Sequence, residues 1–395
     1  MVRYHRTDTQ RAPWLKYSSR MFVKLGLLGR ALKLSLFEAP FSLRRAVCVV
    51  GFLFLFVFFL IVVASGRLLD EVLCRSWRKQ RVVAPVFIIA TPRSGTTAMQ
   101  RLLALDEANF RPLLMYEMIL GAATWIRLVR ALGACARPLT LLGDRLGRFL
   151  FGKWDDRHRM RLTLPEEDET IFVYTLVTEA IYLLFPYVDR LPEAGFADLL
   201  PEREQDATMR FYRTTVQRLL FAGGGDKTLL AKSTSALGRI KTLRRAFPDA
   251  RFIHLVRHPA ESIPSHVSVF YPTWAALSPE ITKISPATRA YAGLAAAWYR
   301  HMLEEAPTIP ERQYVRIMYT DFIADPEATV RRIYDHFGLT VTPTFAERLR
   351  INTKAFRRYR SAHRYSLAEY GLDDAWLEAE LGGVMRAYHF LRYLQ

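Results

Sequence analysis

The sequence predicts an α/β fold: a mostly parallel sheet flanked by helices and preceded by an N-terminal membrane helix. Three observations carry this. Short apolar runs at Val86–Ala90, Thr228–Ala231, Phe252–Val256 and Gln313–Met318 have the length and composition of buried strands. Segments of helical pattern separate them, which implies right-handed crossovers and parallel pairing. Ahead of the first strand, Ala46–Ala64 is 19 residues without a charge, and Ser65-Gly66 extend it.

The apolar run sets the domain plan. Its 21 residues, at about 1.5 Å each, reach roughly 30 Å, the thickness of a bilayer's hydrocarbon core. The chain therefore divides into a basic amphipathic segment (1–45), a transmembrane helix (46–66), a basic juxtamembrane segment (67–82) and a globular domain (83–395). A cleaved signal peptide is not expected, because the run is too long and starts too far in. Met21–Phe37 alternates apolar blocks with Arg20, Lys24, Arg30 and Lys33, the pattern of a helix lying on anionic lipid. Of the net charge of +18, residues 1–81 carry +11, from fifteen Lys/Arg and four Asp/Glu. A basic block by itself suits nucleic acid, but the apolar run inside this one points to membrane lipid as partner, and no nucleic acid is expected. Near the span, four basic residues precede it (Arg30, Lys33, Arg44, Arg45) and five follow (Arg67, Arg75, Arg78, Lys79, Arg81), so charge bias leaves its orientation undecided. A monotopic hairpin fits the same pattern.

The first strand leads into Thr91-Pro92-Arg93-Ser94-Gly95-Thr96-Thr97, and a helical pattern opens at Ala98. A helix N-terminus presents backbone N–H groups without intrahelical partners, Ser94, Thr96 and Thr97 add hydroxyls, and Arg93 adds a guanidinium fork: a phosphate site. The spacing is not the G-x-x-x-x-G-K-[ST] of ATP- and GTP-binding loops. A second motif lies after the third strand. Arg257-His258-Pro259 ends that strand, and Ser265 lies eight residues after Arg257.

At these two motifs the chain resembles the sulfotransferase family, and the resemblance runs from about Val83 to Tyr388. It is nearest a bacterial, membrane-associated branch related to tyrosylprotein-type members. It implies a P-loop-like sheet and 3′-phosphoadenylyl sulfate (PAPS) as co-substrate. Arg93, Ser94, Gly95, Thr96 and Thr97 would hold its 5′-phosphosulfate, Arg257 and Ser265 its 3′-phosphate, and Tyr319 would stack near the adenine. Thr320 stands where the family pattern has Glu, so only Tyr319 carries over there. Arg93 and Lys232 would stabilise the transferring sulfuryl group, and Glu117, a lone carboxylate among apolar residues, would be the base. About 106–226 would form the acceptor-binding insert. Within it, Pro165-Glu166-Glu167-Asp168-Glu169 reads either as a helix N-terminus or as part of the acceptor side. His254 and His258 are expected to pack beside the 3′-phosphate strand, and the basic stretch Lys354–Arg364 is either a closing loop or a solvated face.

Cys48, Cys74 and Cys135 have neither metal-ligand spacing nor a disulfide framework, so no metal is expected. The acceptor would be a hydroxyl or amine of a small molecule, a lipid or another amphiphile. PAPS is made in the cytosol, so the catalytic domain is expected to face the cytoplasm, with a Golgi type II arrangement as the alternative. Neither Asn109 nor Asn352 starts a glycosylation sequon, which disfavours the latter. A membrane-anchored P-loop nucleotide-binding or kinase-like protein is the competing functional class, and a catalytically silent scaffold a third.

Overall fold

The computed structural model describes residues 22–135, 162–356 and 365–390. Five strands, β1 (Val86–Ile89), β2 (Phe110–Pro112), β3 (Thr228–Ser233), β4 (Arg251–Val256) and β5 (Tyr314–Met318), form one parallel sheet in the order β2-β3-β1-β4-β5. Four of them are the predicted runs. Strand β2 is not, because three residues that include Pro112 give no strand signal; the proline is tolerated because the strand is at the sheet edge. Strand β3 runs two residues further than its apolar run, so Lys232 lies within the strand rather than after it.

The helices around the sheet include α1 (Leu25–Lys33), α2 (Leu43–Leu73), α3 (Thr96–Leu103), α4 (Met115–Leu120), α5 (Ala123–Cys135), α6 (Glu202–Gly223), α7 (Pro259–Leu277), α8 (Pro286–Glu305) and α9 (Tyr319–Ala324). The sheet's inner strand residues, such as Phe87, Ile88, Ile253 and Leu255, are fully buried between these layers. The helix after α9 opens as expected, with Pro326 at its first turn and Asp325 accepting the N–H of Ala328.

The N-terminal elements sit on the same body. Helix α1 buries Leu27 and Ala31 in the core, and Lys24 and Arg30 pair with Glu204 and Glu193 of the domain, so its apolar face packs on protein. Helix α2 is long and apolar enough, by length and composition, to cross a membrane. It continues seven residues past the predicted end at Gly66. Arg67 and Asp70 do not stop it because both are buried and partnered: Arg67 donates to Thr214 and Thr215, and Asp70 receives Arg218 at 3.0 Å.

Candidate active site

Strand order reverses around β1, which makes the crevice beyond the carboxyl ends of β1, β3 and β4 the place for a ligand. The predicted loop leaves β1 there. Arg93 takes a φ of 69° and Gly95 a φ of 84°, and helix α3 starts at Thr96. A Cβ on Gly95 would lie 3.0 Å from the Tyr319 ring, so glycine is required both by the backbone and by the packing. Ser94 and Thr96 are buried, while Arg93 and Thr97 are half-buried at the rim.

The two phosphate motifs meet. The Nε of Arg93 donates to Ser265 Oγ at 3.3 Å, and Arg257 donates to the Arg93 carbonyl at 2.7 Å. Arg257 also pairs with Glu261 and lies 4.6 Å from the centre of the Tyr319 ring. Behind them, Tyr299 joins Thr91 (2.8 Å), Ser262 (2.7 Å) and the Arg257 carbonyl (2.6 Å). No sequence pattern signals this brace, because its members are 37 to 208 residues apart. Burial and the nearby Arg316 push His254 down to about 3, leaving it neutral and bonded to Tyr314; His258 accepts the N–H of Ala260 at the start of α7.

Lys232 is completely buried, and its ammonium lies 3.0 Å from Thr97 Oγ1, 3.4 Å from Glu167 and 3.7 Å from Glu166. The acidic segment reaches it by taking over the edge of β3 where β2 leaves off. Leu114 pairs with Pro165, Glu167 pairs with Lys232, and the Asp168 N–H donates to the Lys232 carbonyl at 3.0 Å. Pro165–Glu167 is thus extended, and a short helix begins only at Glu169. The four acids then fall into three surroundings. Glu166 and Glu167 face Lys232, and Glu167 also accepts from Thr234 at 2.9 Å. Asp168 accepts from Ser233 and Tyr212, and burial raises its carboxyl to about 6. Glu169 pairs with buried Arg239.

Glu117 lies in α4, fully buried, as its apolar neighbours predicted. One oxygen receives Arg111 at 2.5 Å and Arg130 at 2.6 Å, and the other receives the N–H of Leu114, which caps α4. Both oxygens are committed, and the partners lie within 13 positions of it. Most of the basic stretch Lys354–Arg364 lies outside the described residues. Among the described residues, no group of three or more His, Cys, Asp or Glu is placed to hold a metal ion.

The sulfotransferase family pattern matches residues 85–343, about two thirds of the chain and all five strands. The chain belongs to the sulfotransferase family. This sulfotransferase is 28% identical over 285 residues to the omega-hydroxy-beta-dihydromenaquinone-9 sulfotransferase Stf3 of Mycobacterium bovis and of Mycobacterium tuberculosis, covering 67% of this chain and 66% of each relative. It thus spans just under two thirds of those proteins' length. Its fold is shared with sulfotransferase STF1 of Mycobacterium tuberculosis H37Rv (TM-score 0.68, 22% identity, 91% of this chain and 92% of that one). It is shared equally with STF9 of Mycobacterium avium (TM-score 0.68, 18% identity, 94% and 98%). These relatives are bacterial, as the two motifs suggested.

Proposed function

We propose that this sulfotransferase moves a sulfuryl group from PAPS to a hydroxyl of an amphiphilic, membrane-borne acceptor. The observation that supports this best is Lys232, whose buried ammonium sits between Thr97 of the phosphate loop and Glu167 of the acidic segment. One cation thereby touches both halves of the crevice.

The residues fit the donor. When bound, PAPS supplies the sulfuryl group and leaves as adenosine 3′,5′-bisphosphate. The Gly95 cradle, the amides opening α3 and the hydroxyls of Ser94, Thr96 and Thr97 suit its 5′-end. Arg257 and Ser265 suit the 3′-phosphate, and Tyr319 the adenine. Lys232 and Arg93 supply fixed positive charge where negative charge grows during transfer, a preorganised arrangement that needs no rearrangement of water. Glu167, partly exposed, accepts the proton of the acceptor hydroxyl, with Glu166 beside it. Glu117, ion-paired to Arg111 and Arg130, anchors the segment that carries them, since the Leu113 carbonyl accepts the Glu166 N–H.

The acceptor class rests on two supports: the apolar surface of α2, and the relative named for an omega-hydroxy menaquinone derivative. The catalytic domain faces the cytoplasm, where its donor is made. The test is full-length protein in detergent with ³⁵S-labelled PAPS and a membrane lipid extract. Label should pass to an organic-soluble species, and Lys232→Ala should slow this by roughly 10²–10³. Tight 3′,5′-ADP binding without transfer to any lipid, amine or small hydroxyl would favour a nucleotide-binding role instead.

A further inference from the structure

Helix α2 has the length and composition of a membrane span, yet both its ends are fastened to one body. At the N-terminal end Ser42 donates to the Leu277 carbonyl, and buried Arg45 bonds the Ser35 carbonyl, Ser278 and Glu280. At the other end Asp70 accepts the N–H groups of Ala123 and Thr124 that open α5 and pairs with Arg218 of α6. These anchors are 25 residues apart, roughly 37 Å along a helix, more than the hydrocarbon thickness. Between them Val49, Phe56 and Val63, at seven-residue spacing, are buried in the domain core, and Gly66 lets Trp125 pack against the backbone. A helix held lengthwise cannot stand across a bilayer unless the elements beside it enter the hydrocarbon too. One of those is α5, which exposes Arg127 next to Leu128.

The opposite face is apolar and open. Val47, Val50, Phe54, Ile61 and Leu68 are 63 to 73% exposed and succeed one another at helical spacing. On α5, the helix packed beside α2, Leu128 and Leu132 are also open, at 45 and 49%. Exposed Arg44 stands at one end of this surface, and exposed Arg75, Lys79 and Arg81 lie beyond the other. An apolar strip rimmed by cations complements one partner, the headgroup and upper acyl layer of an anionic membrane.

We propose that α2 lies in the plane of the membrane as a monotopic anchor, its outer face seated in one leaflet and both ends on the catalytic side. The arrangement also places the acceptor segment close to lipid. Val63 of α2 packs on Gly121 at the end of α4, and Leu114 at the start of α4 pairs with Pro165 of the acidic segment. Six helical residues, about 9 Å, separate the two contacts. An acceptor would enter from the leaflet that holds α2. The topology itself does not depend on the sulfuryl-transfer reading.

The test uses the full chain bound from outside to vesicles of phosphatidylcholine and phosphatidylglycerol. Single cysteines are introduced in a Cys48→Ser, Cys74→Ser, Cys135→Ser background. Fluorophores on Val47→Cys, Phe54→Cys, Ile61→Cys and Leu68→Cys should all be quenched most by lipids labelled at one shallow depth. Phe41→Cys and Arg75→Cys should both react with an impermeant thiol reagent added outside. A depth profile that passes through the bilayer centre, with positions 41 and 75 on opposite sides, would overturn the proposal. So would a face covered by a second copy, seen as a concentration-dependent dimer that does not float with vesicles. As a folding control, Phe54→Glu with Ile61→Glu should lose flotation at least tenfold while keeping 3′,5′-ADP binding; unchanged flotation would also overturn it.

Discussion

Arg93 donates from its Nε to Ser265 Oγ at 3.3 Å, although 172 positions separate them. The loop after β1 and the helix after β4 therefore form one continuous surface, the one proposed to hold the donor's phosphates. Parallel strands bring this about: β1 and β4 are neighbours, so the segments leaving their carboxyl ends emerge side by side at the same edge of the sheet. The same geometry sets Lys232, on the other side of β1, against Thr97.

Removing Arg257 should weaken the product nucleotide in a phosphate-specific way. Arg257→Ala is expected to lose about 1.5–3 kcal/mol of 3′,5′-ADP binding, the usual loss for a hydrogen bond to a charged group. Its affinity for 5′-AMP should change little. Calorimetry on both nucleotides decides this, and an equal loss for the two would move the 3′-phosphate elsewhere.

Lys232→Ala should separate binding from turnover. Loss of one preorganised charge costs roughly 10²–10³ in kcat. The nucleotide should still bind, because the loop and Arg257 remain. A variant that turns over normally would show that Lys232 serves only to hold Thr97 and Glu167 in place.

The two candidate bases differ in what their removal should do. Glu167→Gln should lower kcat while leaving thermal stability near that of the wild type. Glu117→Gln should instead destabilise the fold by about 3 kcal/mol, because Arg111 and Arg130 are left facing a buried neutral group. Thermal unfolding and kcat measured on both variants test this. A Glu117→Gln protein of normal stability and no turnover would return the base to Glu117.

Stability should depend on Asp168 in a defined pH window. Its carboxyl is raised from an ordinary 3.8 to about 6, first by burial and against the hydrogen bonds of Ser233 and Tyr212. Between about pH 4 and pH 6 the folded protein then holds a proton that the unfolded chain has lost. Its stability contribution therefore falls as pH rises through that window and is level above it. Asp168→Asn should flatten this part of the profile in thermal unfolding from pH 4 to 8. An unchanged slope would show that Asp168 is ionised throughout.

A substitution at Gly95 should test the loop without touching a charge. Gly95→Ala must adopt a left-handed backbone, at about 1–2 kcal/mol, and must also displace the Tyr319 ring. Nucleotide affinity and thermal stability should both fall. A variant indistinguishable from wild type would show the loop to be more adaptable than its packing implies.

By itself the sequence determined the sheet's principal strands, the turn that follows the first of them, the motif that leaves β4 and the family. Each depends on residues close together in the chain: apolar runs a few residues long, a glycine where φ must be positive, an arginine and a serine eight positions apart. Tertiary structure alone decided the surroundings of the carboxylates. Glu117 stands alone among apolar residues and Glu167 in an acidic run, but neither pattern says which cation each will meet. Burial of Glu117 brings Arg111 and Arg130 onto it, whereas the edge that β2 leaves free on β3 lets Glu167 reach Lys232, 65 positions away. The long apolar helix α2 divides in the same way. Its length and lack of charge are read directly from the residues, but its direction depends on what Arg45 and Asp70 touch. Those contacts lie up to 235 positions off, where hydrophobic periodicity carries no information.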